Sequence, residues 1–204
     1  MSRPIRLDAV PVWLSSGPAD DAHALLLALA ARVLELLPEE ARRLRLGHAC
    51  PQCGSGDHGR PVLLGCPVLV GSGPVHVSLG RDRSGELAVV ALCRDAPVGV
   101  DVEAAGAADF GGFDELVLHP DERATGPWTP VARTAVWVRK EAVLKARGTG
   151  LATDPRTITL ADLPDVAWRD VDLGPAWQCT VAVSRGVGAG FLSGARGGRA
   201  ASAG

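Results

Sequence analysis

The chain has 204 residues, of which 47% are hydrophobic, and a formal net charge of −2. This length allows one domain or two small ones, and the hydrophobic fraction is ample for a buried core. The small net charge excludes a general attraction to nucleic acid or to an anionic membrane, so phosphate binding must be local. No window approaches eighteen uncharged apolar residues, and the first ten residues lack the apolar segment of a signal peptide, so we expect a cytoplasmic protein without membrane contact.

The N-terminal part of the chain predicts a strand followed by a buried helix. The alternating residues VPVWL at 10–14 are typical of a short strand. From Asp20, a residue type that often caps helices, the sequence is apolar around most of a helical circumference as far as residue 37. Pro38 then begins a further turn rich in basic residues.

Five cysteines, an odd number without an export signal, argue against a disulfide framework and for free thiols or a metal site. Cys50, Cys53 and His58, with Cys66 further on, imitate a zinc knuckle, because two nearby thiolates and an imidazole can form part of a tetrahedron. The spacing between His58 and Cys66 is too long for that motif, and the interleaved aromatic and basic residues of nucleic-acid-binding knuckles are missing. We therefore expect far less than one zinc per chain. A zinc-dependent nucleic-acid or protein-interaction module stays open as an alternative function.

Three further strands are predicted between residues 74 and 103. Residues 74–92 read as a strand, a polar turn and a second strand. In VGVDVE at 98–103 the three valines point to one side of a strand, and Asp101 and Glu103 share the other. Carboxylates roughly 6.5 Å apart along a strand favour a bound cation, and Mg²⁺ prefers carboxylates, phosphate oxygens and water.

A long helix is predicted from the N-cap Thr129 to Gly148, with Pro130 at the first helical position. Trp137, Glu141 and Lys145 are four residues apart and therefore line one face of this helix. If that face packs against the 98–103 strand, Glu141 becomes a third metal ligand, while Trp137 is expected to pack rather than to bind a ligand.

Each of these signals also has an interpretation without a binding site. Glu141 and Lys145 would then be a solvated pair on a helix surface. Asp101 and Glu103 would form the solvent-exposed face of an edge strand.

The remaining segments complete an α+β pattern. FDELVLHPDERA at 113–124 predicts a short helix interrupted at Pro120, GTGLATDPRTITL at 148–160 a loop and a strand, and residues 166–184 two more strands. Residues 188–204 are rich in Gly, Ala, Ser and Arg and are expected to form a disordered tail. Helices alternate with antiparallel strands and no dinucleotide or Walker motif is found, so the fold class is α+β.

The combination of GVDVE with W-x-x-K-E-A-x-x-K-x-x-G-x-G-L about forty residues later resembles the 4′-phosphopantetheinyl transferase superfamily, in its larger surfactin-synthetase-activating type. The similarity extends loosely from about Arg45 to Val183. It implies two pseudo-symmetric α/β subdomains, each with a small antiparallel sheet and a packed helix, spanning 1–97 and 98–187. Coenzyme A would bind in the cleft between them.

The resemblance also implies an enzyme that transfers the 4′-phosphopantetheine group of coenzyme A to a serine of an apo acyl- or peptidyl-carrier protein. The reaction is Mg²⁺-dependent and releases 3′,5′-adenosine bisphosphate. It is a post-translational modification, here one that serves secondary metabolite biosynthesis. The expected state is a cytoplasmic monomer that binds no nucleic acid.

Residue by residue, the resemblance makes Asp101, Glu103 and Glu141 the metal ligands. Lys145 would face the pyrophosphate, and Glu141 or a metal-bound water would remove the serine proton. Glu122 stands where the family often has an acidic residue and is a secondary candidate.

The coenzyme A phosphate contacts are implied by two segments. HGRP at 58–61 resembles the family element G-[KR]-P, which makes Arg60 the residue that holds the 3′-phosphate. The family turn Ser-His-Ser begins here at Ser78, but neither its histidine nor its second hydroxyl follows. Arg81 or Arg83 would replace the histidine, because a guanidinium binds phosphate bidentately.

Both segments have a simpler interpretation. Arg60 would be an ordinary loop arginine, and the 78–84 segment a solvated turn. The altered turn also leaves open a further alternative function, a catalytically weak binder of coenzyme A or of a carrier protein.

Overall fold

The computed structural model describes residues 4–50, 53–65 and 74–185. Antiparallel sheets and a few helices make up this part of the chain, so the predicted α+β class is confirmed. The tail predicted at 188–204 lies outside the described residues. None of the described helices is both long enough and apolar enough to span a membrane.

Nine strands and five α-helices are described. The strands are β1 Ile5–Leu7, β2 Val10–Pro18, β3 Arg45–Ala49, β4 Arg60–Leu64, β5 His76–Arg81, β6 Leu87–Cys93, β7 Val98–Ala104, β8 Val166–Asp170 and β9 Trp177–Ser184. The helices are α1 Ala22–Val33, α2 Pro38–Ala41, α3 Phe113–Val117, α4 Pro120–Arg123 and α5 Pro130–Arg147, and short 3₁₀ turns cover Ala19–Asp21, Gly150–Ala152 and Pro155–Thr157.

These strands pair in three antiparallel sheets. One sheet has the order β1-β2-β6-β5, another has the order β7-β9-β8, and β3 and β4 form a separate hairpin. Helix α1 packs on the first sheet through Leu26 and Leu29, which belong to a buried cluster with Val90 and Leu92. Helix α5 covers the second sheet in the same way. Each larger sheet therefore buries one face beneath a helix, as an antiparallel sheet requires.

The two larger sheets meet along β5, β6 and β7. Val100 and Val102 share one buried cluster with Val89 and Ala91 of β6. The backbone N–H of Val100 donates to Ser78 Oγ of β5 at 3.1 Å. The subdomain boundary near residue 97 stays a prediction, and this hydrophobic core contains residues from both sides of it.

Two local predictions need correction. Helix α1 begins at Ala22, after a 3₁₀ turn that contains Asp20, so Asp20 makes no side-chain cap. The strand predicted within 148–160 is wrong, because this segment forms 3₁₀ turns and irregular backbone. Lys140 explains the second error: its Nζ donates to the carbonyl oxygens of Pro155 and Ile158, both at 2.9 Å, so these groups are used outside a sheet.

Candidate active site

Helix α5 carries the predicted chemical residues and ends where the sequence indicates. The Thr129 side chain accepts a hydrogen bond from the backbone N–H of Ala132 at 3.2 Å, and Pro130 occupies the first turn. At the other end Gly148 caps the helix with a φ of 77°, a conformation that favours glycine. The helix boundaries are therefore confirmed.

Strand β7 lies unusually close to this helix. A Cβ atom built on Gly99 would lie 2.0 Å from the carbonyl oxygen of Ala142 and 2.5 Å from the backbone nitrogen of Ala146. Because side chains alternate along a strand, Asp101 and Glu103 lie on the same side as Gly99 and are covered. Only 6% of Asp101 and 8% of Glu103 is exposed, so the interpretation as a solvent-exposed edge is wrong.

Lys145 reaches across from the helix to the strand. Its Nζ donates to Asp101 Oδ1 at 2.7 Å and to the carbonyl oxygen of Val100 at 3.2 Å. Lys145 is thus bound to β7. The alternative interpretation, in which it only forms a solvated pair with Glu141 on the helix surface, does not describe these contacts. The ammonium group partly neutralises the buried Asp101 carboxylate.

Glu141 lies in the same region without a comparable partner. Its Oε1 atom is buried and has no hydrogen-bond partner. Burial raises the pKa of Glu141, and the nearby Asp101 and Glu103 raise it further, while Lys145 acts in the opposite direction. An unpartnered buried carboxylate oxygen is costly, and it indicates that a cation or donor belongs beside it.

The other two carboxylates are perturbed in the same direction. Burial raises the pKa of Asp101 despite the opposing effect of Lys145. Burial also raises the pKa of Glu103, and the charge of Asp101 adds to that effect, although Glu103 Oε2 accepts a 3.0 Å hydrogen bond from the backbone N–H of Arg83.

Asp101 and Glu141 therefore interact with Lys145, whereas Glu103 is influenced by Asp101 and by the charge of Arg83. A divalent cation fits this donor set, because it would supply the missing positive charge and a partner for Glu141. The three groups do not all converge within 4.8 Å of one another, and Asp101 is instead engaged by Lys145.

A cavity of about 420 Å³ opens beside Lys145. Its walls come from the β3–β4 hairpin, β5 and the C-terminal end of α5, and its polar lining includes Arg60, His76, Ser78 and Lys145. The cations of two distant sequence segments thus lie at one concave surface, which suits an anionic ligand.

Arg60 is the predicted phosphate ligand that the structure brings to this cavity. Its guanidinium packs against the end of α5, where a Cβ atom on Gly148 would lie only 1.5 Å from Arg60 Nη2. This is the negative end of the helix dipole, which favours a cation. Arg60 Nε is buried and has no hydrogen-bond partner, so a donor at the cavity is left for an acceptor such as phosphate.

His76 is a cavity residue that the sequence analysis missed. Burial lowers the pKa of His76, and the charge of Arg60 lowers it further. The signal in the sequence was strand alternation: His76 and Ser78 are two residues apart and therefore share a face of β5.

Residues 97–186 match the sequence model described as ACPS, the 4′-phosphopantetheinyl transferase superfamily. A phosphopantetheinyl transferase superfamily domain is present in this chain. The comparison with curated proteins gives no match. The matched segment supports a transferase that acts in phosphopantetheine transfer in general, and it contains Asp101, Glu103, Glu141 and Lys145. The larger surfactin-synthetase-activating type stays a prediction.

Arg81, the predicted replacement for the family histidine, is not among the residues that line the cavity. It lies on the opposite face of β5 from Ser78, and its Nε donates to the carbonyl oxygen of Ala19 at 3.2 Å. Arg83 is nearer to the carboxylates, since its backbone N–H binds Glu103. The turn itself is held by Asp82, which accepts hydrogen bonds from the backbone N–H groups of Ser84 and two further turn residues.

Glu122, the secondary acidic candidate, has a structural role in the transferase domain. Its Oε2 lies 2.6 Å from Lys140 Nζ, and its Oε1 accepts a hydrogen bond from the backbone N–H of Leu160. Lys140 is fully buried and also donates to three carbonyl oxygens, including that of Val117 at 2.8 Å. Trp137 packs as expected, with its ring edge-to-face against Phe110 at 6.4 Å.

The expected low zinc content stays a prediction, but the geometry of the cysteine loop bears on it. The ligand atoms of Cys50, Cys53 and His58 all lie within 4.8 Å of one another. Cys66, the fourth residue of the imitated knuckle, lies outside the described residues. The spacing of the cysteines in the sequence disfavours a zinc knuckle, but the structure brings three side chains of zinc-ligating type close together.

Proposed function

We propose that this chain transfers the 4′-phosphopantetheine group of coenzyme A to a serine of an apo acyl- or peptidyl-carrier protein, in a Mg²⁺-dependent reaction that releases 3′,5′-adenosine bisphosphate. The observation that carries the proposal is the group of three carboxylates, Asp101, Glu103 and Glu141, connected to the cavity through Lys145, which pairs with Asp101 and also lines the cavity. The match to the superfamily supports the same reaction class.

Asp101, Glu103 and Glu141 are the proposed Mg²⁺ ligands. When bound, the ion supplies the positive charge that transfer of a phosphoryl-type group requires. The unpartnered Oε1 of Glu141 and the raised pKa values of all three groups support this assignment.

Arg60 and Lys145 are the proposed binding residues for the phosphates of coenzyme A. The buried, unpartnered Nε of Arg60 supports a contact with the 3′-phosphate, since a charge-assisted hydrogen bond would satisfy it. Lys145 lines the same cavity and lies beside the carboxylates, which supports a contact with the pyrophosphate. His76 adds a neutral donor and acceptor next to Arg60.

Glu141 is the proposed base among the residues of the chain. Burial raises the pKa of Glu141, which makes its carboxylate a stronger proton acceptor than an ordinary glutamate. The role of the chain is otherwise to hold the pyrophosphate and the carrier serine in line, because positioning and charge stabilisation dominate such transfers.

A single assay tests this function. The protein is incubated with coenzyme A, Mg²⁺ and an apo-carrier protein, and the carrier is examined by intact mass. We expect the mass to increase by one phosphopantetheine group, with no increase after chelation of Mg²⁺ or when the carrier serine is replaced by alanine. Binding of coenzyme A without any mass increase on acyl- and peptidyl-carriers would support the catalytically weak binder instead.

A further inference from the structure

The loop between β3 and β4 gathers three soft metal ligands. Cys50 directly follows β3, and His58 lies two residues before β4, so the pairing of the two strands brings both ends of the loop together. Cys53 Sγ lies 3.3 Å from His58 Nε2, and all three ligand atoms lie within 4.8 Å of one another.

These distances agree with the dimensions of a tetrahedral zinc site. Zn–S bonds of about 2.3 Å and Zn–N bonds of about 2.0 Å at tetrahedral angles put sulfur and nitrogen about 3.5 Å apart and two sulfurs about 3.8 Å apart. The thiolates and imidazole are also the ligands that zinc prefers over Mg²⁺ or Ca²⁺.

The backbone of the loop supports the same arrangement. The N–H of Gly54 donates to the carbonyl oxygen of Cys50 at 2.9 Å, and the N–H of Cys50 donates to the carbonyl oxygen of Ser55 at 2.9 Å. Gly54 has a φ of 73°, which allows the chain to turn immediately after Cys53. The turn is therefore closed by hydrogen bonds between main-chain groups, while the two sulfurs are left on the side of His58.

We propose that Cys50, Cys53 and His58 bind one Zn²⁺, with water in the fourth position. Two thiolates balance the charge of the ion, so the completed site is neutral and adds no repulsion toward an anionic ligand nearby. The long spacing to Cys66, which disfavours a knuckle of four residues, does not bear on a site of three.

The position of this zinc site gives it a structural role at the cavity. Cys50 and His58 line the cavity, and Arg60 is two residues beyond His58. The intervening Gly59 has a φ of 104°, and a Cβ atom there would lie 2.4 Å from the carbonyl oxygen of Ala49. By fixing His58 in this close-packed segment, the metal would hold Arg60 in place, which bears on phosphate binding only if the proposed function holds.

Metal binding is tested on the full chain without an affinity tag. We expect about one zinc per chain after gel filtration. Cys53→Ser and His58→Gln should each lower the zinc affinity by about 10-fold or more, since even the outer contacts of a metal site affect affinity by that amount. His48→Gln is the matched control, because His48 is an exposed histidine of β3 in the same hairpin and is not part of the cluster.

Cobalt gives a second readout that identifies the ligands. Co²⁺ added to the reduced, zinc-free protein should produce a thiolate-to-cobalt absorption band, which should fall to about half in Cys53→Ser because one of two thiolates is lost. A wild type with little zinc and no thiolate band, or with a zinc content that Cys53→Ser leaves unchanged, overturns the proposal.

The link to Arg60 has its own measurement. Removal of zinc should weaken the binding of coenzyme A severalfold and leave the binding of dephospho-coenzyme A nearly unchanged. If zinc binds but both ligands respond equally, the metal does not position Arg60. If zinc binds and neither ligand does, the proposed function fails while the metal site stands.

Discussion

Two lysines on helix α5 face opposite environments. Lys140 is fully buried, forms an ion pair with Glu122 and donates to three carbonyl oxygens. Lys145, little more than one turn later, is partly exposed and pairs with Asp101, while Glu141 beside it has an unpartnered oxygen. In the Lys140 region the ion pair with Glu122 balances one positive charge with one negative charge, whereas three carboxylates near Lys145 share two cations, Lys145 and Arg83.

The difference shows how a residue with a structural role can be distinguished from candidate functional residues on the same helix. Desolvation lowers the pKa of Lys140, yet each of its hydrogen atoms has an acceptor in the folded chain. The ammonium group of Lys140 therefore needs no ligand to satisfy its hydrogen bonds. Among the described residues, Lys145 and Arg83 are the cations that act on the three carboxylates Asp101, Glu103 and Glu141, which leaves one negative charge in excess and favours a cation in this region.

The largest expected effect is on the stability of the fold and arises at Lys140. Lys140→Met should lower the free energy of unfolding by about 3 to 5 kcal/mol, because it leaves Glu122 buried without its partner. Urea unfolding followed by circular dichroism measures this. The double variant Lys140→Met with Glu122→Gln should lose clearly less than Lys140→Met alone. Equal losses would show that the two regions do not differ in the way described.

The second largest effect is expected on activity and arises at the carboxylates near Lys145. Asp101→Asn should lower Mg²⁺-dependent transfer by about 100-fold or more, since a metal contributes several kcal/mol of charge stabilisation. The melting temperature should change little, because the same substitution removes a repelling charge. Initial rates at matched Mg²⁺ concentrations provide the measurement, and a variant that keeps most of its activity would remove Asp101 from the metal site.

A smaller effect is expected at the cavity. Arg60→Ala should weaken coenzyme A binding by about 1.5 to 3 kcal/mol through loss of a charge-assisted hydrogen bond. Dephospho-coenzyme A should bind the variant and the wild type alike, as calorimetry can determine.

Arg81→Ala is the matched control for this prediction. Because Arg81 lies outside the cavity and binds the carbonyl oxygen of Ala19, we expect the preference for coenzyme A over its dephospho form to stay unchanged. A loss of that preference in Arg81→Ala would restore Arg81 as the replacement for the family histidine.

The smallest effect concerns pH and Glu141. Because the folded pKa of Glu141 is raised above its ordinary value of 4.5, the unfolded state ionises first as the pH rises, and the native state loses stability relative to it. Glu141→Gln should therefore be more stable than wild type by about 1 kcal/mol at pH 7 without divalent cations. The difference should vanish below pH 4.5 and reverse with Mg²⁺. Melting curves across pH, with and without Mg²⁺, measure both trends.

The elements that the sequence predicted well are those governed by local chemistry. The ends of α5 follow from Thr129, Pro130 and Gly148, which act within one turn of the helix. The strand at 98–104 follows from strict alternation. The superfamily domain was recognised from two motifs in these same elements, and the fold class from the order of helices and strands.

The parts that escaped prediction depend on what packs against each residue. Lys140 and Glu141 are neighbours in sequence, but only the structure shows that Lys140 pairs with Glu122 and that Glu141 lies near Asp101. His76 was missed although strand alternation places it on the same face of β5 as Ser78. Its proximity to Arg60 comes from two sequence segments meeting at one cavity.

The remaining differences between the sequence analysis and the structure have geometric reasons. Ser78 faces β7, so Arg81, three residues later, lies on the other face of the same strand. The strand predicted within 148–160 had suitable β-branched residues, but the carbonyl oxygens of Pro155 and Ile158 accept hydrogen bonds from the buried ammonium group of Lys140. The cysteine loop was judged by spacing, and spacing does not report how the β3–β4 pairing closes it.

The absence of a side chain at Gly99 sets the width of the whole carboxylate region. A single methyl group there would lie 2.0 Å from the main chain of α5, so the helix would have to move outward and carry Glu141 and Lys145 away from Asp101. A hydrogen atom therefore acts as the spacer between the two halves of the proposed cation site. A survey that looks only for charged or nucleophilic residues would overlook the position on which their separation depends.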